Sequence, residues 1–359
     1  STYNLWLTNV NDADLKKELI EMQENETKIK DAFYKNLEFG TAGLRGVVGA
    51  GTNRMNKYII TQTTLAIVQF MQKNIKKNEK NVVLTYDSRL HSQNYAKIVA
   101  SIFASNNIKC YITNGAKPTP YLSFLVRELK CDMGVNITSS HNPKEYNGYK
   151  VYLSNGCQID DVTAIEISTY FNQINPFNVK YDNFDTLLAN GKIEFVNENN
   201  EEKYLNKVYS ERVTNYTIDK NLKVVYTALN GVGEPFVSRI MQKMGLDNLI
   251  YVEEQKNPDG NFTTCPYPNP EKLEAHKLAI KYANEENADI IIATDPDSDR
   301  LGVCVKDTTT NDYVLLSGND VGVLLSEFIL KNMKKNAKLP IKPIIIRSIV
   351  TTPLVDEIV

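Results

Sequence analysis

The chain has 359 residues, 42% hydrophobic and 23% charged, which excludes a disordered or membrane-spanning class and, by length, a single hydrophobic core. Its formal charge of -2 offers no overall attraction to nucleic acid or anionic lipid, so neither is expected as a partner. Five scattered cysteines, Cys110, Cys131, Cys157, Cys265 and Cys304, have no C-x-x-C spacing, which argues against a disulfide framework or a zinc site and for reduced thiols in the cytoplasm.

The N-terminal stretch STYNLWLTNVNDADLKKELIEM carries charges where a leader peptide needs an apolar run. No segment holds the roughly 18 uninterrupted apolar residues of a membrane span. The expectation is a soluble, untargeted protein, and no heptad or apolar stripe bears on its oligomeric state. Residues 12–35 read as helical. In FGTAGLRGVVGAGTNRMN the glycines Gly40, Gly43, Gly46, Gly49 and Gly51 are too dense for a helix or strand interior, so a loop is expected there. A helix follows over 57–76.

NVVLTYD (81–87) then predicts a strand, and Tyr95, Ile98, Val99, Ile102 and Phe103 recur with the spacing of an amphipathic helix. IKCYIT is a second strand, Leu122 to Leu129 a second helix, and CDMGVNIT a third strand that runs into TSSHNPKEYNGYK. Asn147-Gly148 is expected to form a turn there, with Lys150 on the strand beyond it. Alternating strands and helices predict a parallel sheet with covering helices. The pattern restarts with LKVVYTA (222–228), a helix near 233–244, NLIYVE, a helix near 270–287 and ADIIIATD (288–295). LGVCVKD and YVLLS suggest a hairpin. A helix over 320–333 and a strand PIIIRSIV (343–350) begin a third unit. In both complete units the polar loop leaves the carboxyl end of a strand, where α/β sheets place ligands.

ATDPDSDR sets Asp295, Asp297 and Asp299 in one loop after a strand. Carboxylates at alternate positions can converge on a hard divalent cation, and an oxygen set that shares a substrate phosphate suits Mg²⁺. An EF-hand does not fit, because Arg300 stands where that loop needs Gly and Lys306 where it needs Glu. Ser140 beside His141 is by itself an ordinary loop pair, and with no G-x-S-x-G elbow acyl transfer is disfavoured. Phosphoryl transfer asks for positive charge and a metal around the moving group, and Arg45, Lys150, Arg300 and the Asp cluster provide both.

FGTAGLRG, TSSHNPKEYNGYKVY and TDPDSDR, in this order and with YDSR (86–89), PTP (118–120) and IVTTPL (349–354), closely resemble the α-D-phosphohexomutase superfamily. EFGTAGLRGVVGAGTNRMN looks most like the branch of phosphoglucomutase-2 and phosphopentomutase. The resemblance implies successive α/β domains with mixed or parallel sheets: domain 1 over 1–205, domain 2 over 206–317 and the start of a third over 318–359. It implies that Ser140 carries a phosphoryl group, that one of its oxygens joins Asp295, Asp297 and Asp299 in holding Mg²⁺, and that Arg45, His141 and Lys150 surround the phosphoryl group. Arg300 would sit near the substrate. The implied reaction moves a phosphoryl group between the 1- and 6-hydroxyls of a hexose, or the 1- and 5-hydroxyls of a pentose, through a bisphosphate such as glucose 1,6-bisphosphate. Lys150 or His141 would be the general acid and base.

The family's sugar-recognition loop G-E-x-S-G and its fourth-domain phosphate loop have no counterpart in the sequence. A fragment with little turnover is therefore expected. Two rival readings stay open: a phosphatase with an Asp295 nucleophile, and a non-catalytic sugar-phosphate binder of the same fold.

Overall fold

The computed structural model describes residues 1–40 and 43–358. Thr41 and Ala42 of the FGTAGLRG loop, and Val359, lie outside the described residues. The chain forms two compact units. The first comprises residues 1–200 together with 259–267, and the second residues 201–258 and 268–359.

The first unit is built on a six-stranded mixed sheet. Its strands are β1 (Leu44–Val47), β2 (Lys80–Tyr86), β3 (Ile108–Ile112), β4 (Met133–Ile137), β5 (Tyr146–Leu153) and β6 (Ile193–Phe195), in the order β1-β5-β4-β2-β3-β6. The pairs β4·β2, β2·β3 and β3·β6 are parallel, as strand-helix-strand alternation requires, whereas β1·β5 and β5·β4 are antiparallel.

Both faces of this sheet are covered. A side chain at Gly134 would come within 2.5 Å of Val126 in the helix Thr119–Glu128, so that helix packs on one face. Strand alternation turns Met133 and Val135 to the other face, where they join a core with Val99, Ile102 and Phe103 of the helix Ser92–Ser105. This double burial is why β2 and β4 are mostly apolar, with every residue of β4 buried, and do not alternate polar with apolar.

Several expectations are corrected. Residues 12–35 form two helices, Ala13–Glu21 and Glu26–Phe33, because the Asn25 side chain accepts from Lys28 N and starts a new one. Arg45 and Gly46 lie in strand β1 rather than a loop. Asn147 and Gly148 lie inside β5 rather than in a turn. At Gly148 the cause is close backbone approach, since a Cβ there would meet the Thr138 carbonyl oxygen at 2.5 Å and that of Leu44 at 2.7 Å, whereas a Cβ on Gly46 would meet the Leu37 side chain at 3.1 Å.

The second unit has a five-stranded sheet made of β7 (Val224–Thr227), β8 (Leu249–Tyr251), β9 (Ile290–Thr294), β10 (Leu301–Lys306) and β11 (Tyr313–Leu315), in the order β11-β10-β9-β7-β8. β7 pairs in parallel with β8 and β9, and β9·β10·β11 is antiparallel, so the expected hairpin is present. The helix expected near 270–287 opens with a short 3₁₀ segment, Leu273–His276, and continues as Lys277–Glu286.

The helix Gly318–Lys335 starts at a capping box made by Ser317 and Asp320. The strand expected over 343–350 does not form. Among the described residues no strand pairs with this run, and Ile344, Ile346 and Ile349 are 81%, 91% and 98% exposed. An apolar run without a neighbour to satisfy its backbone has no reason to become a strand. No helix is long and apolar enough to cross a membrane among the described residues. The five cysteines are free thiols, with only Cys157 exposed.

Candidate active site

In the first unit the candidate residues come from three adjacent strands. β4 ends at Ile137 and the chain turns through Thr138, Ser139 and Ser140. Ser140 has φ 53, the left-handed region that side chains with a Cβ rarely occupy. The turn is held by a bond from Ser140 N to Thr138 Oγ1 at 2.8 Å and one from Asn142 N to the Ser139 carbonyl at 3.1 Å. Ser140 is 1% exposed, and its Oγ lies 3.2 Å from His141 Nδ1.

Lys150 stands on β5 opposite Asn136 of β4 and is 2% exposed, an unusual place for an ammonium group. Asn136 donates to Thr119 Oγ1 at 2.6 Å, which gives the PTP stretch a role in bracing the same strand. Arg45, on β1, faces Gly148 of β5, and its Nη1 donates to Asn142 Oδ1 at 3.2 Å. Gly43 (φ 77) lies against the β5 backbone, where a Cβ would stand 3.1 Å from Lys150 Cα. Arg45, Ser140, His141 and Lys150 therefore gather at the junction of β1, β5 and β4.

Arg89, the last residue of YDSR, has no role that the motif alone indicates. This buried guanidinium donates from Nη2 to the carbonyls of Ser140 and Asn142, both at 2.6 Å. From Nη1 it donates to those of Pro143 and Tyr146, at 2.8 and 3.0 Å. Its Nε lies 3.3 Å from Asp87 Oδ2. Burial pushes the Asp87 carboxyl up from its ordinary value, while the charge of Arg89 and bonds from Thr138, Arg89 N and Ser92 pull it down.

In the second unit β9 delivers Asp295, Asp297 and Asp299 to one loop, with one carboxylate oxygen from each lying within 4.8 Å of the others. Asp295 and Asp297 are buried and Asp299 is exposed. Ser298 takes a left-handed φ of 56, which lets Asp295 Oδ1 accept from both Asp299 N and Arg300 N at 3.1 Å.

The 228–233 turn packs under this loop. Val232 N donates to the Pro296 carbonyl at 3.0 Å, and a Cβ on Gly231 would come within 2.4 Å of Pro296 Cα. Tyr226 Oη and Thr294 Oγ1 are 2.8 Å apart beside the loop, and burial raises the Tyr226 phenol so that it stays neutral. Three converging all-oxygen ligands, two of them withdrawn from solvent, fit a hard divalent cation. Arg300 points to Glu271, with Nη1 to Oε1 at 2.8 Å, a partner 29 residues away with no local motif to mark it.

The serine turn thus follows a strand of the first α/β unit, and the carboxylate loop follows a strand of the second. Residues 36–177 match the family description Phosphoglucomutase/phosphomannomutase, alpha/beta/alpha domain I, and residues 202–308 match domain II of the same family. The chain belongs to the phosphoglucomutase/phosphomannomutase family, within the α-D-phosphohexomutase superfamily.

It is 35% identical over 355 residues to the phosphoglucomutase of Staphylococcus saprophyticus, covering 99% of this chain and 62% of that protein. It is 37% identical over 329 residues to that of Staphylococcus haemolyticus, covering 90% and 58%. A crystal structure of a phosphoglucomutase/phosphomannomutase family protein from Burkholderia thailandensis shares the fold. Its TM-score is 0.64 at 22% identity, over 83% of this chain and 59% of that one. The chain thus spans about three fifths of the length of the curated relatives it matches.

Proposed function

We propose that the chain acts in a phosphosugar mutase, with Ser140 as the phosphoryl carrier and Asp295, Asp297 and Asp299 as the ligands of Mg²⁺. The observation that supports this most is the state of Ser140. It is a non-glycine residue in a left-handed turn, withdrawn from solvent, with His141 beside its hydroxyl and its own carbonyl gripped by Arg89. An ordinary surface loop has no need of such a turn.

In the proposed reaction the bond from Ser140 Oγ to phosphorus breaks as a hydroxyl of the sugar monophosphate forms its own bond to phosphorus and gives up its proton to a base, while a proton from the conjugate acid goes to the departing Ser140 Oγ. After the sugar bisphosphate turns over, Ser140 Oγ gives its proton to the base as it takes the other phosphoryl group, and the protonated base supplies the proton to the departing sugar oxygen. Lys150 and His141 are the candidates for that base. Arg45, His141 and Lys150 offset the charge on the phosphoryl oxygens, and Arg300 orients the sugar phosphate. Bound Mg²⁺ supplies further charge neutralisation.

Glucose 1-phosphate or a pentose phosphate is the proposed substrate, and glucose 1,6-bisphosphate or its pentose equivalent the activating intermediate. The proposed domain limits are 1–205, 206–317 and 318–359, and the reduced thiols fit a cytoplasmic setting.

The test is intact-mass measurement after incubation with glucose 1,6-bisphosphate and Mg²⁺. The expected result is uptake of one phosphoryl group that the Ser140→Ala variant does not take up. Uptake that survives Ser140→Ala and disappears in Asp295→Asn would overturn the proposal in favour of an aspartyl nucleophile.

A further inference from the structure

Residues 259–267 leave the flanking chain of the second unit and pack as part of the first. The segment is braced internally: Asp259 accepts from Asn261 N and Thr263 N through its carboxylate and from Phe262 N through its carbonyl. At its centre Phe262 is fully buried with φ 46, a left-handed conformation that a bulky side chain adopts only when its surroundings hold it there. Its ring lies 5.1 Å from the Arg89 guanidinium carbon. Two further contacts fix the segment on the same loops. Gly260 sits where a Cβ would come within 2.7 Å of the Ser88 carbonyl and 2.8 Å of Leu90 N. The Pro266 carbonyl accepts from Lys144 N at 3.1 Å.

We propose that Phe262 and Arg89 are positioning residues for the Ser140 loop. The aromatic ring fixes the guanidinium plane, and the four hydrogen bonds of the guanidinium fix the carbonyls of Ser140, Asn142, Pro143 and Tyr146. The inference rests on the reading of Ser140 as phosphoryl carrier.

The physical argument is one of desolvated geometry. A guanidinium offers a rigid fork, so four carbonyls can be held at once only if its plane is set, and a ring face both sets that plane and attracts the charge. Asp87 offsets the charge from another side. Both residues lie beside the loop that carries the reacting hydroxyl. They act through the backbone on either side of it, by holding Ser140 in a conformation that serine does not favour.

The test compares the full 359-residue chain with its Phe262→Leu, Phe262→Tyr and Arg89→Lys variants. Two quantities are read: amide hydrogen exchange over residues 139–146, and the rate of phosphoryl uptake at Ser140 from glucose 1,6-bisphosphate. Phe262→Leu is expected to exchange the loop amides about tenfold faster and to take up phosphoryl about tenfold more slowly, with exchange elsewhere in the first unit unchanged. Phe262→Tyr keeps the ring and should match the parent.

Parental loop exchange in Phe262→Leu overturns the proposal, as does equal loosening in the Leu and Tyr variants. If Phe262→Leu melts the whole unit, Arg89→Lys decides, since an ammonium keeps the charge and loses the fork. Loosening confined to 139–146 supports the proposal. Parental exchange, or uniform loosening of the unit in every variant, overturns it. If the parent takes up no phosphoryl group at Ser140, the mutase reading fails and the exchange pattern alone decides the positioning role.

Discussion

Gly148 faces Arg45 across the antiparallel pair β5·β1, and a side chain on it would run into the carbonyl oxygens of Leu44 in β1 and of Thr138 just past the end of β4. The strand that presents Lys150 is therefore locked by a residue that has no side chain.

Gly148→Ala should destabilise the first unit by roughly 1–3 kcal/mol, because its methyl group meets backbone that cannot swing away as a flexible side chain would. Thermal unfolding checks this against Gly322→Ala. Gly322 lies in the helix Gly318–Lys335 with nothing within 4 Å of its added methyl, so that variant should be neutral or more stable by up to about 1 kcal/mol.

Mg²⁺ should raise the melting temperature of the second unit in a concentration-dependent way, because a ligand of the folded state stabilises it by mass action. Asp297→Asn removes one of the two buried carboxylates and should weaken the ion by about tenfold or more, read by calorimetric titration. An equal Mg²⁺ response in the variant would remove Asp297 from the ligand set.

His276 gives a pH signature. It is fully buried, and burial lowers its imidazole pKa below the ordinary 6.5, with only the Pro270 carbonyl, 2.8 Å from Nε2, pulling the other way. The unfolded chain binds the proton first as pH falls. The stability tied to a neutral His276 is thus present above about 6.5 and is lost progressively below it, by up to about 1.4 kcal/mol per pH unit. His276→Gln should remove this slope between pH 6.5 and 5, measured as the difference between denaturant midpoints of parent and variant.

Arg300 separates binding from stability. Its ion pair with Glu271 is half-exposed, at 37% and 50% side-chain exposure, so Arg300→Ala should shift stability by no more than about 1 kcal/mol. If Arg300 orients a sugar phosphate, the same variant should still raise the substrate concentration needed for half-maximal phosphoryl exchange by about tenfold or more.

The central strands β2, β4 and β9 were legible as apolar runs because helices or neighbouring strands cover them. β1 was not, and β5 was legible only beyond an expected turn at Asn147-Gly148, since Gly46 and Gly148 mimic a loop in sequence while Gly148 serves close strand approach in space. The run 343–350 misled in the opposite way: it has strand composition and no neighbour to pair with. Of the candidate site, Ser140 and the three aspartates stand out because motif spacing is local. Arg89 carries no local signal of its role because the carbonyls it holds lie more than 50 residues away. Nothing in GNFTTCP distinguishes Phe262 from a loop aromatic. A role created by packing between distant segments leaves no periodic trace.

The return of residues 259–267 to the first unit also orders events during synthesis. A ribosome that has released residue 200 has made every strand of the first sheet, yet the place of the Phe262 ring beside Arg89 is still empty. The unit can be completed only after β7 and β8, two of the five strands of the second sheet, have also been made, so synthesis of the two units is interleaved rather than sequential. A pause in translation between the codons for residues 200 and 267 would expose the nascent serine turn for as long as it lasts.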